Sequence, residues 1–126
     1  MNTLQDLIKK YAAQYKEQVV AWRRHIHSHP ELSGEEKNTS LFIQKVLGEL
    51  GIPFVNDVSD YAVIGKIEGA QPGPVIALRA DIDALPIHET TGLPFASEND
   101  GVMHACGHDS HIAILLGAAA ILQSIK

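Results

Sequence analysis

A single cysteine, Cys106, stands among the 126 residues, so no disulfide can form within the chain. Such a chain needs no oxidising compartment. Met1–Asp6 also lacks the basic and apolar stretches of a signal peptide. Together these set the expectation of a cytoplasmic protein. Basic residues are few: 10 Lys and Arg stand against 15 Asp and Glu, a net charge of −5, with no basic stripe. A nucleic-acid partner is therefore not expected. No run reaches the roughly 18 consecutive apolar residues of a membrane span, so no membrane partner is expected either. Gly65, Gly69 and Gly73 lack the spacing of a phosphate-binding loop. Repeats and low-complexity tracts are missing. What remains is an ordinary globular balance, 45% hydrophobic and 20% charged, sufficient for one core in one domain.

Apolar residues Leu4, Leu7, Ile8, Tyr11, Tyr15, Val19, Trp22 and Ile26 recur at helical spacing and predict a first helix that Pro30 ends. Ser33-Gly-Glu-Glu36 has capping-box spacing and predicts the start of a second helix carrying Phe42, Ile43, Val46, Leu47 and Leu50, with Gly51 as its stop. Tyr61–Ile67 is rich in β-formers. Val75–Ala80 is nearly all apolar, as a central strand covered on both faces would be. Asp81–Gly101 reads as a long irregular loop, a kind that is usually functional or disordered. A buried helix is expected over about Ser110–Ser124. The order α-α-β-β-α fits an α/β fold with helices packed on a mixed sheet.

The densest chemistry lies in Val102–His111, where His104, Cys106, His108, Asp109 and His111 fall within eight residues at the mouth of an apolar helix. Buried polar groups need partners, so such a cluster is placed there for use. A thiolate and a neutral imidazole, Cys106 and His108, suit a divalent metal such as Zn²⁺. The plain alternative is a small buried Cys beside surface histidines. Asp81 and Asp83 follow directly on the Val75–Ala80 segment and share one side if it stays extended. They could ligate metal, orient a metal-bound His, or merely cap a turn. His25, His27 and His29 alternate before Glu31. His25 and His27 read best as complements to a helix C-terminal dipole, whereas His29 and Glu31 could brace the site from a loop. A cysteine-protease arrangement of Cys106 and His108 is disfavoured, because residues two apart rarely reach nucleophile–base geometry.

Arg24-His-x-His-x-His29-Pro-Glu31-Leu, Leu78-Arg-Ala-Asp-Ile-Asp-Ala-Leu-Pro86 and Met103-His-Ala-Cys-Gly-His-Asp-x-His111 together resemble the N-terminal motifs of the aminoacylase/carboxypeptidase-type metallopeptidase superfamily, in its amidohydrolase branch. That branch includes hippurate hydrolases and N-acyl-L-amino acid amidohydrolases. The resemblance implies a zinc-peptidase-like catalytic domain of which residues 1–126 are the N-terminal portion. The rest of that domain and a separate dimerisation domain would lie outside the chain. It implies hydrolysis of the amide bond of small N-acyl amino acids such as hippurate or N-acetyl amino acids, at a site holding one or two Zn²⁺ or Mn²⁺ ions, and a homo-oligomer. Cys106 and His108 match metal ligands. Asp83 matches the carboxylate that orients a metal-bound His, and Asp81 stands where many relatives carry a His ligand. A later Glu-Glu pair and two later histidines complete the family's site, so the chain alone is expected to be inactive. The competing expectation is a small metal-binding or structural domain with an incomplete site, drawing on His104, His111 or Asp81.

Overall fold

The computed structural model describes residues 3–126. Three helices carry it: α1 (Leu4–Ser28), α2 (Lys37–Glu49) and α3 (His108–Ile125), with the short strands β1 (Phe54–Val55) and β2 (Ile64–Gly65) between the second and third. Helix α1 opens on a capping box that the sequence reading overlooked. The Thr3 hydroxyl accepts from the Asp6 amide at 3.2 Å, and the Asp6 carboxylate accepts from the Thr3 amide at 3.0 Å. The helix stops at Ser28, ahead of Pro30 as expected.

The expected capping box at Ser33–Glu36 does not form. Helix α2 begins at Lys37, and Glu36 accepts instead from the Gly34 amide. The orphan donors of the first turn are taken by a carboxylate from upstream: Glu31 accepts from the amides of Asn38 and Thr39 and from the Thr39 hydroxyl. A negative charge there also complements the helix dipole. The C-terminal expectation holds. Gly51 adopts φ +69°, the Ile52 amide reaches back to the Leu47 carbonyl at 2.9 Å and the Gly51 amide to that of Gly48 at 3.0 Å. This is a Schellman closure, and its apolar pair, Leu47 and Ile52, joins the core.

The strands differ most from expectation. Tyr61–Ile67 contributes only Ile64–Gly65 to a sheet, paired antiparallel with Phe54–Val55, a strand the sequence reading did not anticipate. Val75–Ala80 joins no sheet among the described residues, and Val75 and Ile76 are 98% and 80% exposed. An apolar extended segment becomes a central strand only where neighbours hydrogen-bond to both its edges. Here no described segment supplies them.

Trp22 and Ile26 of α1, Val46 and Leu47 of α2, Ile52, and Ile112, Ala113, Leu116 and Ala120 of α3 form the core. The long loop of residues 81–101 is fixed to its upper end by backbone bonds. The Ala84 amide donates to Glu31 O at 2.8 Å, Leu85 and Met103 exchange two bonds of 2.9 Å, and the Glu98 amide donates to Ser28 O at 2.9 Å. The loop is thus ordered against the α1–α2 connection.

Helices α1 and α3 approach closely at Gly117, where an added Cβ would lie 2.8 Å from Val19 Cγ2. A Gly117→Ala change gains roughly 1 kcal/mol of helix propensity but overpacks a stiff β-branched neighbour at about 1–3 kcal/mol. Urea unfolding is expected to show Gly117→Ala destabilised by about 1 kcal/mol, and stabilised by about 1 kcal/mol when Val19→Ala has made room. Stabilisation by Gly117→Ala in the unaltered background would contradict this packing.

Candidate functional site

The five clustered groups divide sharply. Cys106 and His111 are exposed, His108 is half-buried, and His104 and Asp109 are buried. The division follows from Gly107, which takes φ +98° as N-cap of α3. That left-handed conformation is costly for residues with a Cβ. It turns the chain between Cys106, outside the helix, and His108, its first residue.

His108 is oriented from the loop. Its Nδ1 lies 3.0 Å from the Asp83 carbonyl oxygen and 3.0 Å from Asp83 Oδ1. Both are acceptors, so Nδ1 carries the proton and donates, leaving the lone pair of the neutral ring on Nε2. Asp81 Oδ2 stands 4.0 Å from that Nε2, while its other oxygen is paired with Arg79 Nη2 at 2.6 Å. The structure therefore brings together His108, Asp83 and Asp81. The His108 and His111 rings are 5.9 Å apart. Among the described residues, no three His, Cys, Asp or Glu side chains converge as a metal cage would require. The donor chemistry suits a metal, an Nε2 lone pair fixed by a carboxylate beside an exposed thiol, but these residues make only part of a shell.

Asp109 faces the other way. It is fully buried, and Oδ2 accepts from His27 Nδ1 at 2.7 Å. Arg23 Nε lies 2.8 Å from the same oxygen, an ionic contact whose N–H is not directed along it. On the far side of the His27 ring, Nε2 meets Glu89 Oε1 at 3.0 Å. Glu89 also accepts from the Ser97 amide and the Thr91 hydroxyl. Burial pushes the Glu89 pKa upward, but the Thr91 hydroxyl, the Ser97 amide and His27 outweigh it, and the carboxyl is held below its ordinary range. The two buried carboxylates thus meet the Arg23 guanidinium and both ring nitrogens of His27. Breaking such a buried pair costs about 3–5 kcal/mol, because a charge is left uncompensated.

His27 stands in the last turn of α1, as the expected dipole complement would, but its ring also lies inside, between the carboxylates of Asp109 and Glu89, a role the sequence does not announce. An indirect signal was available: Arg23 and His27, four apart, flank the core residues Trp22 and Ile26, so charge sits beside the buried stripe. His25 instead stacks on Phe42 and His29, with ring centroids 4.2 and 4.4 Å away, and burial followed by the nearby His29 lowers its pKa. Glu31 caps α2 rather than bracing the metal-facing residues. His104 is buried with neither ring nitrogen hydrogen-bonded, and burial lowers its pKa despite the nearby charge of Asp109.

Because Glu89 has a depressed pKa, the unfolded chain binds its proton first as pH falls. Its contribution to stability is complete above the ordinary glutamate value of 4.5 and is lost as pH drops through the folded value. Thermal melts followed by circular dichroism from neutral to strongly acid pH are expected to show a steeper acid loss in the native chain than in Glu89→Gln. Parallel curves would contradict the assignment.

Residues 77–126, which contain both the Asp81–Asp83 and Cys106–His108 segments, match the profile of Peptidase family M20/M25/M40. The chain is 47% identical to the N-acyl-L-amino acid amidohydrolase of Geobacillus stearothermophilus, over 94% of this chain and 32% of that protein. It is 55% identical to the N-acetyl-L-cysteine deacetylase of Bacillus subtilis, over 86% and 26%. A solved dinuclear metal binding peptidase of Bacillus subtilis, from the M20 family, superposes with a TM-score of 0.85 at 47% identity, covering 89% of this chain and 32% of the other. The chain spans about a third of the length of the curated relatives it matches. The motif-bearing match, the identity along nearly all of the chain and the shared fold agree: this chain is similar, in sequence and in fold, to the corresponding third of proteins of peptidase family M20/M25/M40.

Proposed function

We propose that this chain supplies part of the divalent-metal site of an amidohydrolase that cleaves the amide bond of small N-acyl amino acids. The observation that carries the reading is His108, with Nδ1 fixed on Asp83 and Nε2 left free. A carboxylate or carbonyl on the far nitrogen is the usual companion of a metal-bound imidazole. The amidohydrolase and deacetylase relatives support the substrate class, and the dinuclear Bacillus subtilis peptidase supports the metal.

In this reading Cys106 and His108 hold Zn²⁺ or Mn²⁺, with Cys106 a ligand and not a nucleophile. When bound, such an ion supplies Lewis acidity to the scissile carbonyl and acidifies a water. Asp83 keeps the His108 ring in one tautomer and one orientation. Asp81, anchored by Arg79, adds negative charge facing Nε2 and favours a cation there. The remaining ligands and the general base lie outside this set, so residues 1–126 alone are expected to turn over no N-acyl amino acid. We read the chain as the N-terminal part of a single catalytic domain in a cytoplasmic homo-oligomer.

Cobalt titration of the chain tests the ligand assignment. A thiolate-to-metal absorption band is expected in the native chain and its loss in Cys106→Ser; an undiminished band would sink the assignment. Asp83→Ala is expected to weaken Zn²⁺ binding about 10- to 100-fold in calorimetry, and unchanged affinity would remove its orienting role. The exposed apolar edge at Val75–Ala80 supports self-association. Light scattering is expected to find oligomers that Ile76→Lys dissociates, and a monomer at high concentration would count against them.

A further inference from the structure

The His27 ring lies between two elements that bear the metal-facing residues. Asp109, on its Nδ1 side, directly follows His108 in the first turn of α3. Glu89, on its Nε2 side, belongs to the loop that carries Asp83. All three side chains are at most 3% exposed, so neither contact is shared with bulk water. Phe95, from the same loop, closes the arrangement. It meets the His27 ring edge-on at 5.6 Å and lies under the guanidinium groups of Arg23 and Arg24 at 5.3 and 5.0 Å. Arg23 and His27 are one helical turn apart, so α1 presents both side chains to Asp109 from a rigid surface.

We propose that His27 is a positioning residue for His108: by donating to Asp109 and to Glu89 at once, it locks the first turn of α3 to the loop and so seats His108 Nδ1 on Asp83. This rests on the reading of His108 as a metal ligand, which needs its Nε2 lone pair presented. Two short side-chain bonds converge on a ring anchored in the longest helix of the molecule. A carboxylate held only by its own loop would leave the distance between α3 and that loop free to vary. With His27 in place, a shift of either element breaks a buried ionic contact. Free imidazole favours the Nε2-protonated tautomer, the wrong one for a ligand through Nε2. Holding the other tautomer therefore depends on Asp83 staying within reach of Nδ1.

The test uses the 126-residue chain without metal, labelled with ¹⁵N-histidine, at neutral pH. In the native chain the spectrum is expected to show both ring nitrogens of His27 protonated and His108 protonated at Nδ1. In folded His27→Gln, His108 is expected to revert to the tautomer mixture of a free ring, and Zn²⁺ affinity to fall about 10- to 100-fold. His108 keeping its native signature in a folded His27→Gln chain would overturn the proposal. Should that variant fail to fold, the native spectrum decides: a His27 ring with an unprotonated nitrogen overturns the double bridge. Native chain that shows the His108 tautomer and its loss in His27→Gln, yet takes up no Zn²⁺, refutes the metal reading and leaves the positioning role standing.

Discussion

Two carboxylates buried against one face of α1 constrain the upper half of this molecule. Asp109 and Glu89 reach it from different segments, and neither could be withdrawn from water without a cation to meet it. Helix α1 supplies Arg23 and His27, and the contact geometry dictates the rest. Helix α3 must dock with its first turn toward α1, and the loop of residues 81–101 must fold back over the same spot. The apolar core below, from Trp22 to Ala120, drives the helices together. Apolar contact alone is tolerant of sliding. The paired charges are not, and they fix which turn of α3 faces which turn of α1.

The same division explains what could be read from the sequence. Helices were legible because their signals are local: apolar spacing for all three, Pro30 and Gly51 for their ends. The Schellman closure at Gly51 came through for that reason. N-terminal capping was not legible in the same way, since even the local Thr3–Asp6 box passed unread. The Ser33 motif had the right spacing, but the helix begins only at Lys37, where the Glu31 carboxylate takes the amides of Asn38 and Thr39, and no short pattern announces a cap from six or more residues away. Val75–Ala80 has the composition of a central strand, yet a strand is a relation between segments. Its apolar faces stay in solvent when no described neighbour pairs with it.

At the site, residue chemistry was legible and direction was not. Cys106, His108, Asp81 and Asp83 were picked out by type and position, and the structure gathers His108 with both aspartates. Asp109 belongs to the same run of letters but points inward. That outcome depends on the left-handed Gly107 and on the phase of the helix that follows. Glu89 lay in a stretch with no periodicity to interpret, and its role becomes visible only with His27 beside it. A polar run at a helix mouth can thus serve two sides at once, with Cys106 and His108 turned outward and His104 and Asp109 turned to the core.

The bond between His27 and Asp109 joins positions 82 apart in the chain, and Tyr15 meets Ser124 across 109. Closing loops of that length carries an entropic cost that must be met before any contact across them is gained. Helices α1 and α2, joined by a short connection and locked by Glu31, can form early by comparison. The docking of α3 therefore comes late, and the charged cluster with it. During synthesis the segment that bears Cys106 and His108 thus stays undocked until α3 has emerged, whereas the α1–α2 pair can already be in place.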